Sequence, residues 1–223
     1  MKTEFLHRNG TGELLIFFNG WGRDSSDVCH LKSPGDVLEV HDYTQLDPAE
    51  LFQQIAPYSK LSLAAWSLGV WAAATVFSGT DFHFEYALAL NGTLDPVHPE
   101  YGIAPEIFDG TIANWPIPAA RERFLRRMAG SGAAVSALPQ PKRTAEDQQA
   151  ELAAIRKSAA DRPVPRNPYS HAVLGLRDKI IPFAAQKKFW ETKPETGRTL
   201  VDLPHYPLAG LSSWEEILHL GNA

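Results

Sequence analysis

The 223-residue chain has one cysteine, Cys29, so no disulfide can form within it. That excludes a disulfide-framed scaffold and fits a reducing compartment. No apolar run reaches the ~20 residues that a membrane-spanning helix needs. Residues 1–10 are polar and lack the apolar core of a secretion signal, so a soluble cytoplasmic protein is expected. Basic charge is not in excess: 21 Lys and Arg stand against 26 Asp and Glu, a net of −5. The chain as a whole is therefore not expected to bind nucleic acid or a membrane. No cluster of His, Cys and carboxylates has metal-ligand spacing, and there is neither a glycine-rich phosphate loop nor an internal repeat. Neither a metal nor any other cofactor is expected. What is present is a hydrophobic fraction of 44%, enough for one sizeable core with a modest insertion.

Apolar runs alternate with helical patterns along most of the chain. Glu13-Leu14-Leu15-Ile16-Phe17-Phe18 is almost continuously apolar, as a strand covered on both faces should be. Further strands are expected at residues 36–40, 61–66, 86–90, 171–175 and 198–203. Helices are expected at 68–77, 182–190 and 213–220. Another helix should start at Asp47-Pro48-Ala49-Glu50, with Asp47 capping it and Pro48 in its first position. This alternation implies a mostly parallel, right-handed α/β sheet flanked by helices, with its site beyond the carboxyl ends of the strands. Residues 94–168 break the rhythm. They hold no convincing strand, and 119–129 and 144–160 read as helices, the second opened by a Thr144–Asp147 capping pattern. The expected organisation is a core of residues 1–93 and 169–223, with 94–168 forming a small helical lid.

The chemistry centres on Ala65-Trp66-Ser67-Leu68-Gly69. A strand meets a helix there with room only for a sharp turn, and Ser67 sits on it. A nucleophile elbow has this layout, with small residues on both flanks because strand and helix backbones pass close together. Ala65 replaces the usual leading glycine. A serine that merely caps a buried helix would look similar. A serine hydroxyl needs a base, and the base needs an orienting acid. Of eight histidines, only His205 lies in a loop directly after the last expected strand. Asp178, in Gly175-Leu176-Arg177-Asp178, is the better candidate acid, with Asp95 as competitor. The order Ser67, Asp178, His205 is that of an α/β-hydrolase fold. The oxyanion donors would be the backbone N–H of Leu68 and that of Trp21, in Asn19-Gly20-Trp21-Gly22.

Charge sets the insertion apart. Residues 121–166 hold ten Lys or Arg and five Asp or Glu, a net of +5, and the remainder carries −10. Arg123, Arg126 and Arg127 share a helix stripe by their spacing. The insertion therefore reads as a docking patch for an acidic partner or substrate, with Arg121, Arg123, Arg126, Arg127, Arg156 and Lys157 as its candidate residues.

Together, Phe17-Phe18-Asn19-Gly20-Trp21-Gly22, Ala65-Trp66-Ser67-Leu68-Gly69-Val70-Trp71, Ala89-Leu90-Asn91-Gly92-Thr93 and Pro204-His205-Tyr206-Pro207 resemble the BioG-type pimeloyl-ACP methyl ester esterases, compact α/β-hydrolases. The resemblance covers most of the chain and is weakest in residues 94–168. It implies removal of the methyl ester from pimeloyl-acyl carrier protein in biotin synthesis, without a cofactor. Ser67 would be nucleophile, His205 base, Asp178 acid, and Trp21 and Leu68 the oxyanion hole. The partner would be the acyl carrier protein, held by the basic insertion, and a monomer is the simplest state. A broader short-chain carboxylesterase, an acyl thioesterase and a non-catalytic binding scaffold are the alternatives that the sequence leaves open.

Overall fold

The computed structural model describes residues 1–222. A seven-stranded sheet runs through it in the order β1-β3-β2-β4-β5-β6-β7. The strands are β1 Lys2–His7, β2 Glu13–Phe18, β3 Asp36–His41, β4 Lys60–Trp66, β5 Tyr86–Leu90, β6 His171–Gly175 and β7 Gly197–Val201. β1 is antiparallel to β3, and every other pairing is parallel. The helices are α1 Ala49–Ile55, α2 Leu68–Phe77, α3 Pro105–Asn114, α4 Pro118–Ala129, α5 Gly132–Val135, α6 Ala145–Asp161, α7 Phe183–Glu191 and α8 Trp214–His219. Among the described residues, no helix is long and apolar enough to cross a membrane.

Strand pleating explains why the central strands read as unbroken apolar runs. Leu14, Ile16 and Phe18 of β2 enter a core shared with α1, α2, α6 and α7. Leu15 and Phe17 enter a second core on the opposite face, with Met128, Trp214 and Ile217. With both faces covered, alternate polar positions have no place. The edge strand β1 escapes this rule. It is half-buried and polar at Lys2 and Glu4, so a sequence read for continuous apolar character passes over it. The sequence also ran β7 too far: the strand ends at Val201, and residues 202–205 carry the chain back across the sheet end. α1 begins one residue later than expected, with Pro48 as the flanking residue, and the Asp47 side chain still accepts the Ala49 N–H at 3.0 Å.

Residues 94–168 contain four helices between β5 and β6. α4 and α6 match the expected helices, and the Thr144 hydroxyl caps α6 by accepting the Asp147 N–H at 3.1 Å. α3 and the single turn α5 were not foreseen. α3 is broken in composition by Gly110 and buries only Phe108, so its amphipathic signal is weak.

One contact fixes α2 against the sheet. Gly69 packs on the end of β2 so closely that a Cβ there would collide with the Phe18 and Asn19 carbonyls. Gly69→Ala should therefore destabilise by about 1–3 kcal/mol or more, since backbone cannot yield as a side chain can. Gly110 in α3 has open space around its Cβ direction, so Gly110→Ala should stabilise by about 0.5–1 kcal/mol through helix propensity. Urea denaturation of the two variants should give midpoints displaced in opposite directions.

Candidate active site

Ser67 links β4 to α2 with φ 59° and ψ −128°, a left-handed conformation unusual for a residue with a Cβ. Its side chain makes no capping bond to α2, so the helix-capping alternative does not hold. Instead, Ser67 Oγ lies 2.8 Å from His205 Nε2. His205 Nδ1 lies 2.7 Å from Asp178 Oδ2. The three side chains come from the loops after β4, β6 and β7, and all are buried. Asp95 makes no contact with His205, and burial raises its carboxyl above the usual range. Asp178 is not paired with the neighbouring arginine either: Arg177 reaches to Asp202 at 2.6 Å.

Each member of this chain is held by further bonds. Asp178 Oδ1 accepts the N–H groups of Ile180 and Ile181 at 2.8 and 3.0 Å, and Oδ2 also accepts from Gln186 Nε2 at 2.8 Å. The His205 carbonyl accepts from Trp66 Nε1 at 2.8 Å and from Asn91 Nδ2 at 3.0 Å. Asn91 Oδ1 accepts the Gly175 N–H at 2.7 Å, so one side chain ties the end of β6 to the His205 loop. Gln186 and the clamping role of Asn91 escaped the sequence reading. In sequence, Asn91-Gly92 closes a strand and belongs to the Ala89–Thr93 motif with no role attached, and Asn91 takes the left-handed φ of 46° there.

The Asn19-Gly20-Trp21-Gly22 loop follows β2. The Gly20 N–H goes to Asn19 Oδ1 at 2.8 Å and the Gly22 N–H to Glu151 Oε2 at 3.0 Å. Between them the Trp21 N–H has no hydrogen-bond partner among the described residues. Leu68 is the first residue of α2, so its N–H has no helical acceptor. Trp21, Ser67, Leu68 and His205 line one cavity, walled by Ile103, Phe108, Phe124, Met128, Leu152 and Ile180. Such an arrangement can activate a serine and offer two amides to an oxyanion in an apolar chamber.

Two buried ion pairs brace these loops. Arg23 binds Asp27 through Nε and Nη2 at 2.7 and 2.6 Å, and Tyr206 Oη donates to Asp27 at 3.0 Å. Burial pushes the Asp27 carboxyl up against the pull of Arg23, and it pushes the Tyr206 hydroxyl up as well. Glu39, raised by burial, accepts from Asn19 Nδ2 at 3.0 Å and contacts His41 Nδ1 at 2.7 Å. Burial alone would depress His41, but the Glu39 contact outweighs it and the imidazole is raised. No group of three or more His, Cys, Asp or Glu is placed to hold a metal among the described residues.

The basic residues of the insertion divide by position. Arg121 donates to the Trp115 and Pro116 carbonyls at 2.7 and 3.0 Å. Arg156 pairs with Asp109 at 2.7 Å, and Lys157 with Asp161 at 2.5 Å. Arg126 pairs with Glu122, both exposed. Arg123 and Arg127 have no ion-pair partner among the described residues. Ile103, Thr111, Phe124 and Ile180 line both the serine cavity and an adjoining outer groove, whose charged residues are Arg127, Lys179 and the Lys188–Glu100 pair at 2.7 Å. Arg123, Arg126 and Arg127 line the adjoining surface.

Residues 1–217 match the family model described as pimeloyl-ACP methyl esterase BioG. A BioG crystal structure from Haemophilus influenzae superposes with a TM-score of 0.85 at 29% identity, covering 98% of this chain and 100% of that one. An uncharacterized protein of Haemophilus influenzae is 30% identical over 221 residues, 97% of this chain and 99% of the relative. A malonyl-[acyl-carrier protein] O-methyltransferase of Bacteroides fragilis is 35% identical over 182 residues, 80% of this chain, and the match spans only 36% of that relative's length. An esterase from Thermogutta terrifontis shares the fold alone, with a TM-score of 0.65 at 16% identity over 92% of this chain and 86% of that one.

The hydrogen-bond chain gives a prediction that needs no particular substrate. A fluorophosphonate probe should label Ser67. Asp178→Asn should slow that labelling by about 10³-fold or more, because the imidazole loses its tautomer and orientation. Asp95→Asn should leave the rate within about twofold.

Proposed function

The chain belongs to the BioG family of pimeloyl-ACP methyl esterases, and on that premise we propose that it hydrolyses the methyl ester of pimeloyl-acyl carrier protein to the free acid and methanol, in biotin synthesis. As a member of this family of carboxylic ester hydrolases, it needs a nucleophile, a base and an oxyanion site. The single observation that carries the assignment of roles is the unbroken contact from Ser67 Oγ through His205 to Asp178 at 2.8 and 2.7 Å. Ser67 Oγ attacks the ester carbonyl while His205 Nε2 takes its proton. The N–H groups of Trp21 and Leu68 hold the developing oxyanion, His205 returns the proton to the departing methoxide, and methanol leaves. Water then repeats the sequence on the acyl-enzyme, with His205 again as base, and Ser67 regains its proton. Asp178 orients the imidazole and stabilises its charged form.

The site's shape supports an ester at the end of a tethered chain. The apolar walls at Ile103, Phe124 and Ile180 suit methylenes, and the adjoining groove carries Arg127 and Lys179, with Lys188 held by Glu100 at 2.7 Å. An acidic carrier would dock over α4 through Arg123, Arg126 and Arg127 while its acyl arm reaches inward past Phe124. Arg121 and Arg156, also candidates from sequence, are engaged within the chain, and Lys157 lies away from the groove beside Tyr43 and Arg162, so these three have a lesser part in this reading. The name of the Bacteroides fragilis relative fits the same substrate class. A polypeptide that methylates a carrier-bound acid and also holds a BioG-like segment pairs installation of an ester with its removal.

Ser67→Ala should lower turnover of methyl pimeloyl-carrier protein by about 10³-fold or more, read as methanol release. Charge reversal of Arg123, Arg126 and Arg127 together should raise KM for the carrier-bound ester at least about tenfold. The same variant should leave hydrolysis of p-nitrophenyl butyrate within about twofold. Added salt should weaken the wild-type carrier reaction and not that of the small ester. Equal KM values for the carrier-bound ester would remove α4 from the docking surface.

A further inference from the structure

Glu151 is the one fully buried carboxylate of the insertion, and nothing in the proposed chemistry uses it. It projects from α6 into the seam with the sheet. Oε1 accepts the Tyr43 N–H at 2.8 Å, from the loop after β3. Oε2 accepts the Gly22 N–H at 3.0 Å, from the loop after β2, and is paired with Arg143 Nη1. Arg143 Nη2 in turn lies 3.3 Å from Asp42. One helical turn earlier, Gln148 grips the same loop. Its carbonyl accepts Trp21 Nε1 at 2.7 Å, and its Nε2 donates to the Gly22 carbonyl at 2.9 Å. Both backbone groups of Gly22, its N–H and its carbonyl, and the Trp21 indole beside it therefore end on α6. The Trp21 N–H is left without a partner among the described residues, and Trp21 lines the Ser67 cavity.

Stability alone does not account for this carboxylate. Burying an ion pair costs desolvation that its attraction barely repays, and apolar side chains would pack the seam as well. A carboxylate has one property that they lack. Its two oxygens can take one N–H from each of two separate loops while an arginine neutralises the charge. We propose that Glu151, seconded by Gln148, is a positioning residue that sets the Trp21 amide as an oxyanion donor, so that α6 forms part of the catalytic apparatus and stays seated during turnover. The proposal rests on the roles given above to Ser67 and Trp21.

The conservative variant Glu151→Gln separates positioning from folding. A glutamine oxygen can serve one of the two N–H donors but not both, and its amide turns a donor toward the other or toward Arg143. Misplacing an oxyanion donor by a fraction of an ångström acts on the transition state and hardly on ground-state binding. With p-nitrophenyl butyrate and active sites counted by fluorophosphonate titration, Glu151→Gln should lower kcat per titrated site at least about tenfold, with KM changed less than about threefold. Gln148→Ala should lower it at least about threefold. A purely structural role would reduce the number of titratable sites and the Tm, yet leave kcat per site unchanged. That result, kcat per site within twofold of wild type for Glu151→Gln, would overturn the proposal. If that variant yields no soluble protein, Gln148→Ala decides by the same criterion. A Ser67→Ala control keeps the two readings apart: full activity there defeats the proposed function and this inference together, whereas an inactive Ser67→Ala beside an unaffected Glu151→Gln defeats only the inference.

Discussion

A serine at φ 59° is held at a cost on the order of 1–3 kcal/mol, and the surrounding structure must supply the constraint. Three close approaches do so. Gly69 rests on the β2 carbonyls, Gly92 rests on the Ser67 carbonyl and the Val70 side chain, and Ala65 is completely buried between β2 and β5. Neither glycine position has room for a Cβ. The turn therefore cannot relax without parting α2 from the sheet, and the hydroxyl is held up to meet His205. Ala65 in place of glycine is tolerated because it lies in regular strand, where its φ is ordinary and only its small size counts.

The remaining parts of the site are loops, which would wander without fastening. Their fastenings converge on few side chains. Asn91 joins the β6 end to the His205 loop, and Trp66 supports the same His205 carbonyl from the neighbouring strand end. Asp27 receives both Arg23 and Tyr206, so the loop carrying Trp21 is tied to the loop carrying His205. Polar groups buried this way need complete pairing. Their convergence makes the carboxyl end of the sheet one hydrogen-bonded plate, on which the distances between loops are fixed together.

Much of the sheet, and the three residues proposed as a triad, could be read from the sequence because both depend on local pattern. Central strands are covered on two faces and declare themselves as apolar runs. Ser67, Asp178 and His205 each follow such a run, and chain order assigned them. What was not legible depends on tertiary partners. β1 lies at an edge and needs only a half-buried pattern. The sequence ranks Asp178 above Asp95 by loop position, and the structure adds that the Asp178 loop reaches His205. Gln186, Gln148 and Glu151 carry no motif at all, and Asn91 lies in the Ala89-Leu90-Asn91-Gly92-Thr93 motif with no role attached. Asn91, Gln148 and Glu151 act through bonds to residues as distant in sequence as Gly175 and Gly22, which no local window contains.

The charge of the insertion shows the same division between composition and placement. Counted along the chain, its cations form one basic block. In space they separate into two sets. Arg143 turns inward to Glu151 and Asp42, while Arg121 and Arg156 brace α3. Arg123, Arg126 and Arg127 face outward on α4. The same helix turns Phe124 and Met128 toward the Ser67 cavity. On the proposed reading, the docking face and the cavity wall are two sides of one rigid rod, about 18 Å long by its 12 residues. The depth to which an acyl arm enters is then fixed by where its carrier sits. Selectivity for chain length would come from that distance as well as from the pocket, and a small ester without a carrier would escape it.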